Sequence, residues 1–282
     1  MDLILQSLVA SSATLKQIAS LAEPEKLIDL SRDGLHCIRI GLPEQDTTTK
    51  EKIAALAKAE QVDLYWEKWP QRLSDFKLLA MDMDSTLITI ECIDEIADML
   101  GLKPQVSAIT ESAMRGDIVF SESLTRRVAL LKGLPATTLQ RVYDERVQLS
   151  LGAEQLLDAA RAAGLKTLLV SGGFTFFTDR MRQKLQLDFS HANQLEIIDG
   201  TLTGRVLGRI VDAEEKKRTV ERTCAQLGIS TNKAIVMGDG ANDLAMMSIA
   251  GLSVAFRAKP VVREQANVAF NFVGLDGLLN LL

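Results

Sequence analysis

Lys77-Leu78-Leu79-Ala80-Met81-Asp82-Met83-Asp84-Ser85-Thr86 is a short apolar run that ends on two carboxylates separated by one residue. A continuous apolar stretch of this length suits a strand buried on both faces. If the chain leaves that strand extended, Asp82 and Asp84 point to the same side. Like charges that close are costly unless a cation or a proton relieves them. The chemical reading uses both remedies, with Asp82 ionised beside a divalent cation as a nucleophile and Asp84 protonated as a general acid and base. A solvated strand-end turn, where Asp is common, accounts for the pair equally well on its own.

Two later runs behave alike. Residues 167–170 lead into Ser171-Gly172-Gly173, and residues 234–237 into Gly238-Asp239-Gly240-Ala241-Asn242-Asp243. Helical stretches lie between them, such as 154–163, with Leu156, Leu157 and Ala160 on its apolar face and Gly164 as its stop. Short buried strands alternating with helices predict an α/β doubly wound parallel sheet, in which ligands bind at the carboxyl ends of the strands. All three polar clusters fall there. Residues 88–150 interrupt the alternation with helical patterns only, including Ile93, Ile96, Ala97 and Leu100, and read as an inserted helical cap. A β-hairpin is predicted over 195–198 and 202–206, around Asp199-Gly200.

Upstream, the order is strand (3–8), helix (13–22), strand (26–30), strand (36–40), helix (50–59) and strand (62–66). That βαββαβ order predicts a small α+β ferredoxin-like unit, similar to the ACT-like modules found beside metabolic enzymes. The chain thus divides into residues 1–72 and 73–282. A regulatory role and a docking or dimerisation role both stand open for the first unit, so a homodimer is among the expectations.

Composition narrows the function. The 282 residues are 47% hydrophobic and 24% charged, with a formal net charge of −5. This is ordinary globular material, without the basic run that nucleic acid or an anionic membrane surface demands. No window approaches a membrane span, and the first residues lack the basic start of an export signal, so a cytoplasmic protein is expected. Cys37, Cys92 and Cys224 are odd in number and far apart, which fits buried thiols better than a disulfide framework. With only His36 and His191, zinc sites and histidine triads have little to draw on. Chemistry has to come from carboxylates.

Ser171 and the following glycines can present a hydroxyl and backbone N–H groups to phosphate oxygens, although a capped strand-to-helix turn needs the same residues. A magnesium ion is typically held by one or two carboxylates, with water and substrate phosphate completing its shell, and Asp82 and Asp239 are placed to supply them. In Asp212-Ala213-Glu214-Glu215-Lys216-Lys217-Arg218, spacing alone does not separate Lys216 from Lys217, and a solvated helix face explains both.

Taken together, the DxD segment, the strand-end Ser, the downstream Lys and GDGAND (238–243) resemble the haloacid dehalogenase superfamily in the expected order. DMDSTLITIECIDEIAD (82–98), VSGGF (170–174) and GDGAND are similar to the phosphoserine phosphatase family within it, over about residue 79 to the C-terminus. The resemblance implies Mg²⁺-dependent hydrolysis of O-phospho-L-serine through an aspartyl phosphate, the last step of serine biosynthesis. It makes Asp82 the nucleophile and a metal ligand, Asp84 the proton donor whose backbone carbonyl also binds metal, and Asp239 the third ligand. Ser171 and Gly172 would contact phosphate, Lys216 would neutralise it, Asn242 would touch the substrate, and Asp243 would orient this shell from behind. In the cap, Glu91 would hold the substrate's ammonium and Arg127, in preference to Arg126, its carboxylate, while Met114 and Phe120 close over the serine moiety. The alternatives are a related phosphatase or phosphotransferase acting on another phosphomonoester, and a catalytically silent binding protein. The intact acids at 82, 84 and 239 argue against the second. Because every assigned group lies beyond residue 72, residues 73–282 are expected to fold and work alone.

Overall fold

The structure is a computed structural model that describes residues 1–282 apart from Asp33, Glu44, Lys68 and Trp69, and apart from the side chain of Met114. No helix among the described residues is long and apolar enough to cross a membrane.

The first sheet has the order β2-β3-β1-β4, built from β1 (Asp2–Ser7), β2 (Lys26–Asp29), β3 (His36–Gly41) and β4 (Asp63–Glu67), with every pair antiparallel. Helices α1 (Ser12–Ser20) and α2 (Thr47–Ala59) start on Ser11 and Asp46, whose side chains accept from Thr14 N and Thr49 N. Side chains alternate across a strand. Leu3 and Leu5 of β1 and Ile38 and Ile40 of β3 therefore pack against α1 and α2, while Ile4 and Cys37 turn to the opposite face. This is the ferredoxin-like arrangement expected of the βαββαβ order.

The second sheet has seven strands in the order β11-β10-β9-β5-β6-β7-β8: β5 (Leu78–Met81), β6 (Lys166–Phe174), β7 (Phe189–Ile198), β8 (Thr201–Leu207), β9 (Ala234–Gly238), β10 (Leu252–Phe256) and β11 (Val268–Phe270). All pairs are parallel except β7–β8, the expected hairpin. The strands β5, β6 and β9 lie side by side at the centre, so their three polar ends converge. Helices α7 (Ala153–Ala162), α8 (Thr175–Leu185), α9 (Ala213–Gln226), α10 (Leu244–Met247) and α11 (Pro260–Gln265) complete the alternation.

The cap comprises α3 (Cys92–Asp98), α4 (Lys103–Met114), α5 (Phe120–Ala129) and α6 (Thr137–Arg146). Its base is closed by an antiparallel bridge between Ile88 and Leu149. Its far side is bonded to the hairpin: Gly133 N donates to Leu202 O at 2.8 Å, and Ala136 N to Gly200 O at 2.8 Å. The hairpin is thus a support for the cap.

Ile4, Leu35 and Cys37 belong to the same buried apolar cluster as Phe76, Leu79, Leu275 and Leu278, so the open face of the first sheet packs on the second unit. Polar contacts fix the same interface. The Asp63 carboxylate, 2% exposed, accepts from the backbone N–H groups of Asn271 (2.8 Å), Phe272 (2.8 Å) and Val273 (3.0 Å). Asn280 Nδ2 donates to Gln6 Oε1 at 2.8 Å, and Arg32 pairs with Asp276 at 2.9 Å. Asp63→Ala leaves those N–H groups buried without an acceptor and should cost about 2–4 kcal/mol. Urea unfolding checks this, and a loss under about 0.5 kcal/mol, the range of ordinary surface changes, would show that the interface does not depend on the carboxylate.

Candidate active site

The chain leaves β5 at Asp82 with φ −69° and ψ 160°, passes Asp84 at φ −63° and ψ 136°, and turns sharply at Ser85, whose φ is 55°. A non-glycine residue at positive φ is uncommon. Here the Ser85 hydroxyl is placed to donate to Glu91 Oε1 at 2.7 Å. Asp82 is 5% exposed, and its Oδ1 accepts from Met83 N at 2.8 Å and lies 2.7 Å from Lys216 Nζ. Lys216, fully buried on α9, also donates to Asp243 Oδ1 at 2.8 Å. The other oxygen of Asp243 accepts from Asp239 N (3.2 Å) and Gly240 N (3.0 Å), which folds the glycine-rich turn around it. Gly238 is required there, because a Cβ would lie 2.4 Å from that carboxylate oxygen.

Carboxylate oxygens of Asp82, Asp239 and Asp243 all lie within 4.8 Å of one another. Such a cluster has an excess of negative charge even beside one ammonium, and its titration reflects this. Burial and Asp243 push Asp82 well above the ordinary carboxylate range despite Lys216. Burial, followed by Asp243 and Glu91, raises Asp239 to about 7. Burial alone would lower Lys216, but Asp243 and Asp82 override it and hold the ammonium charged. An oxygen-donor set of this kind, wanting positive charge, fits a hard divalent cation.

Asp84 is not a member of that cluster. Its Oδ1 accepts from Cys92 N, at the start of α3, at 3.2 Å. Burial and then Glu91 raise it to about 7. Its other oxygen explains Gly173, where a Cβ would sit 2.6 Å from Asp84 Oδ2 and 3.0 Å from Ser171 Oγ. Phe120 Cζ packs over Gly172 in the same way, 3.0 Å from where a Cβ would stand.

Between core and cap lies a cavity of about 780 Å³. Asp82, Asp84, Ser171, Gly172, Asp239 and Asn242 line its floor, and Glu91, Phe120 and Arg127 its cap side. Lys216 and Asp243 stand behind the floor, and the Met114 side chain falls outside the described residues. Burial separates the two neighbouring pairs: Lys216 is fully buried and Lys217 only partly, while Arg127 lines the cavity and Arg126 is exposed and paired with Glu122 on the surface.

Sequence reasoning passed over two buried residues that hold the site. Thr86 donates from its hydroxyl to Asp239 Oδ1 at 3.2 Å, joining the β5 and β9 ends. Asn193, 1% exposed on β7, donates to Gly172 O and accepts from Val211 N, both at 2.8 Å, and so fixes the turn after β6. A polar residue within the strand pattern of β7 was the available signal.

Comparison with known proteins agrees with this architecture. The family model of haloacid dehalogenase-like hydrolases matches residues 76–251. A phosphoserine phosphatase from Polaromonas sp. is 60% identical over 216 residues, covering 75% of this chain and 92% of the relative. The crystal structure of a haloacid dehalogenase family hydrolase from Salmonella enterica serovar Typhi superposes with a TM-score of 0.88 at 36% identity, over 100% of this chain and 98% of that one. A phospho-aspartyl intermediate analogue of phosphoserine phosphatase superposes with a TM-score of 0.68 at 38% identity, over 72% of this chain and 97% of that one. The chain belongs to the haloacid dehalogenase-like hydrolases and, within them, to the phosphoserine phosphatase family.

Proposed function

We propose that the chain hydrolyses O-phospho-L-serine to serine and phosphate, the final reaction of serine biosynthesis, through a phosphorylated Asp82. The observation that carries this reading is the cavity itself, which sets an acid cluster and a phosphate-binding turn on one side and an opposed Glu91 and Arg127 on the other. A zwitterion attached to a phosphate presents the complementary charges.

In the first step an oxygen of Asp82 attacks phosphorus, the ester P–O bond breaks, and Asp84 delivers its proton to the departing serine oxygen. In the second, Asp84 takes a proton from a water molecule as that water attacks the aspartyl phosphate, releasing phosphate and restoring Asp82. The Ser171 hydroxyl, the N–H of Gly172 and the Lys216 ammonium meet the phosphate's negative charge, Asn242 contacts the substrate, and Asp243 holds Lys216 and the Asp239 turn in place. Asp82, Asp239 and the carbonyl of Asp84 would hold Mg²⁺, which when bound supplies the positive charge that the cluster lacks. Phe120 covers the serine moiety, and the cap excludes bulk water.

The same reading keeps residues 1–72 as an ACT-like module docked on the hydrolase unit of residues 73–282, with the cap at about 88–150, in a cytoplasmic enzyme. Pairing of two copies through that module remains part of it.

A phosphate-release screen over phosphorylated metabolites, with and without chelator, tests the proposal. Phosphoserine should lead the panel by at least about tenfold in kcat/KM, as expected where opposed charges recognise both ends of the substrate. Activity should vanish in EDTA and return with Mg²⁺ far better than with Ca²⁺, whose larger and more variable shell misplaces the nucleophile. Full activity in exhaustive chelator, or a flat panel, would contradict it.

A further inference from the structure

Two side-chain atoms on the cap side of the cavity have no hydrogen-bond partner among the described residues: Oδ1 of Asp94 and Oγ of Ser123. Both atoms are shielded from water, and Ser123 as a whole is 1% exposed. A buried polar atom without a partner carries its full desolvation penalty, so in a folded protein it calls for an explanation. The same condition at Oγ1 of Thr178, on α8, does not involve the cavity wall. Asp94 and Ser123 do, and their positions are paired with the two charges already assigned.

Asp94 stands three residues after Glu91 at the start of α3, and Ser123 four residues before Arg127 on α5. Residues at these spacings are neighbours on one helix face. Local backbone contacts agree, with Asp94 N donating to Glu91 O at 3.1 Å and Arg127 Nε to Ser123 O at 3.4 Å. The existing partners do not exhaust what a zwitterion needs. An ammonium has three N–H donors, whereas Glu91 Oε1 is already engaged by the Ser85 hydroxyl. A carboxylate has two oxygens to satisfy, and a hydroxyl beside a guanidinium serves the second.

We infer that Asp94 and Ser123 complete the amino-acid subsite, Asp94 Oδ1 accepting from the substrate's ammonium beside Glu91 and Ser123 Oγ donating to its carboxylate beside Arg127. The inference rests on the phosphoserine reading and extends it from one group per charge to two. Asp94 also lies first among the acids whose charge favours the Arg127 cation, so the competing account is that it only positions Arg127. The two accounts differ in which substrate analogue is affected.

The test compares Asp94→Asn and Ser123→Ala, each in the full chain, on four substrates: phosphoserine, its deamino analogue 3-phosphooxypropanoate, phosphoethanolamine and an aryl phosphate. Asp94→Asn should lower kcat/KM for phosphoserine by about tenfold or more, mainly through KM, and leave the deamino analogue within about threefold of wild type. Ser123→Ala should lower phosphoserine by about fivefold or more and leave phosphoethanolamine within about threefold. Neither should slow the aryl phosphate, and Ser123→Ala should not lower the thermal midpoint, because its Oγ has no hydrogen-bond partner among the described residues to lose. If Asp94→Asn harmed the deamino analogue as much as phosphoserine, Asp94 would act through Arg127 and its contact with ammonium would be overturned. Unchanged phosphoserine kinetics in either variant would remove that residue from the subsite. A wild-type chain that does not prefer phosphoserine would overturn the substrate reading, and this inference with it.

Discussion

Replacing Asp82 with Asn is expected to lower phosphate release by at least about a thousand-fold while leaving the fold in place. The amide oxygen is a poor nucleophile and a poor ligand for a hard cation, so both assigned tasks of this residue fail together. The structure gives little reason for the fold to suffer. Asn is nearly isosteric, can still accept from Met83 N, and leaves Lys216 its second partner in Asp243. Replacing one acid of a buried group of three with a neutral amide also removes the desolvation of its charge and its repulsion with Asp243, which push Asp82 up, so the thermal midpoint should stay level or rise. The decisive measurement is rapid acid quench with ³²P-labelled substrate. Label should be trapped on the wild-type protein and absent from the variant, with circular dichroism unchanged. Turnover within tenfold of wild type would remove Asp82 as the nucleophile, and label found on Asp84 would exchange the roles of the two acids.

The strands that carry this chemistry are legible in the sequence for a physical reason. Residues 78–81, 167–170 and 234–237 are buried on both faces, so each is an unbroken apolar run, and each ends abruptly where the chain meets the cavity. The hairpin was legible from its turn. Strands β10 and β11 were not. β10 carries Ser253 in its interior, satisfied by Asn267 fourteen residues away, and β11 is only three residues long. The motif residues of the site were readable because they cluster at strand ends. Residues that act across the fold were not, and Asn193 shows why: nothing near it in sequence reveals that Gly172 and Val211 will meet it. Asp63 is the same case at a larger scale. Locally it is an acid at the start of a strand, and its three backbone partners lie more than two hundred residues along the chain. Where the sequence left two neighbours equal, as with Lys216 and Lys217, only the direction each side chain takes on the folded helix separates them.

That distinction supports the second large prediction. Lys216→Met should cost about 3–5 kcal/mol of stability and about a hundredfold or more in kcat, whereas Lys217→Met should change stability by less than about 0.5 kcal/mol. The two lysines are adjacent on α9, so helix propensity and local sequence context are nearly the same for both. Their surroundings are not. Lys216 is fully buried, with Nζ 2.7 Å from Asp82 and 2.8 Å from Asp243, and it supplies the positive charge for an acid cluster otherwise lacking a protein cation at hydrogen-bond distance among the described residues. A buried ion pair is a weak source of net stability when intact, but removing one partner strands the other in a medium that solvates it poorly. Here the removal strands two carboxylates at once. Methionine matches the stem of lysine closely enough to keep the packing, so the loss isolates the charge. Chemical unfolding of both variants in the presence of chelator measures the structural part, and single-turnover kinetics with Mg²⁺ measures the catalytic part. Equal behaviour of the two variants would mean that Lys216 is a packed helix residue and that phosphate is neutralised by some other group.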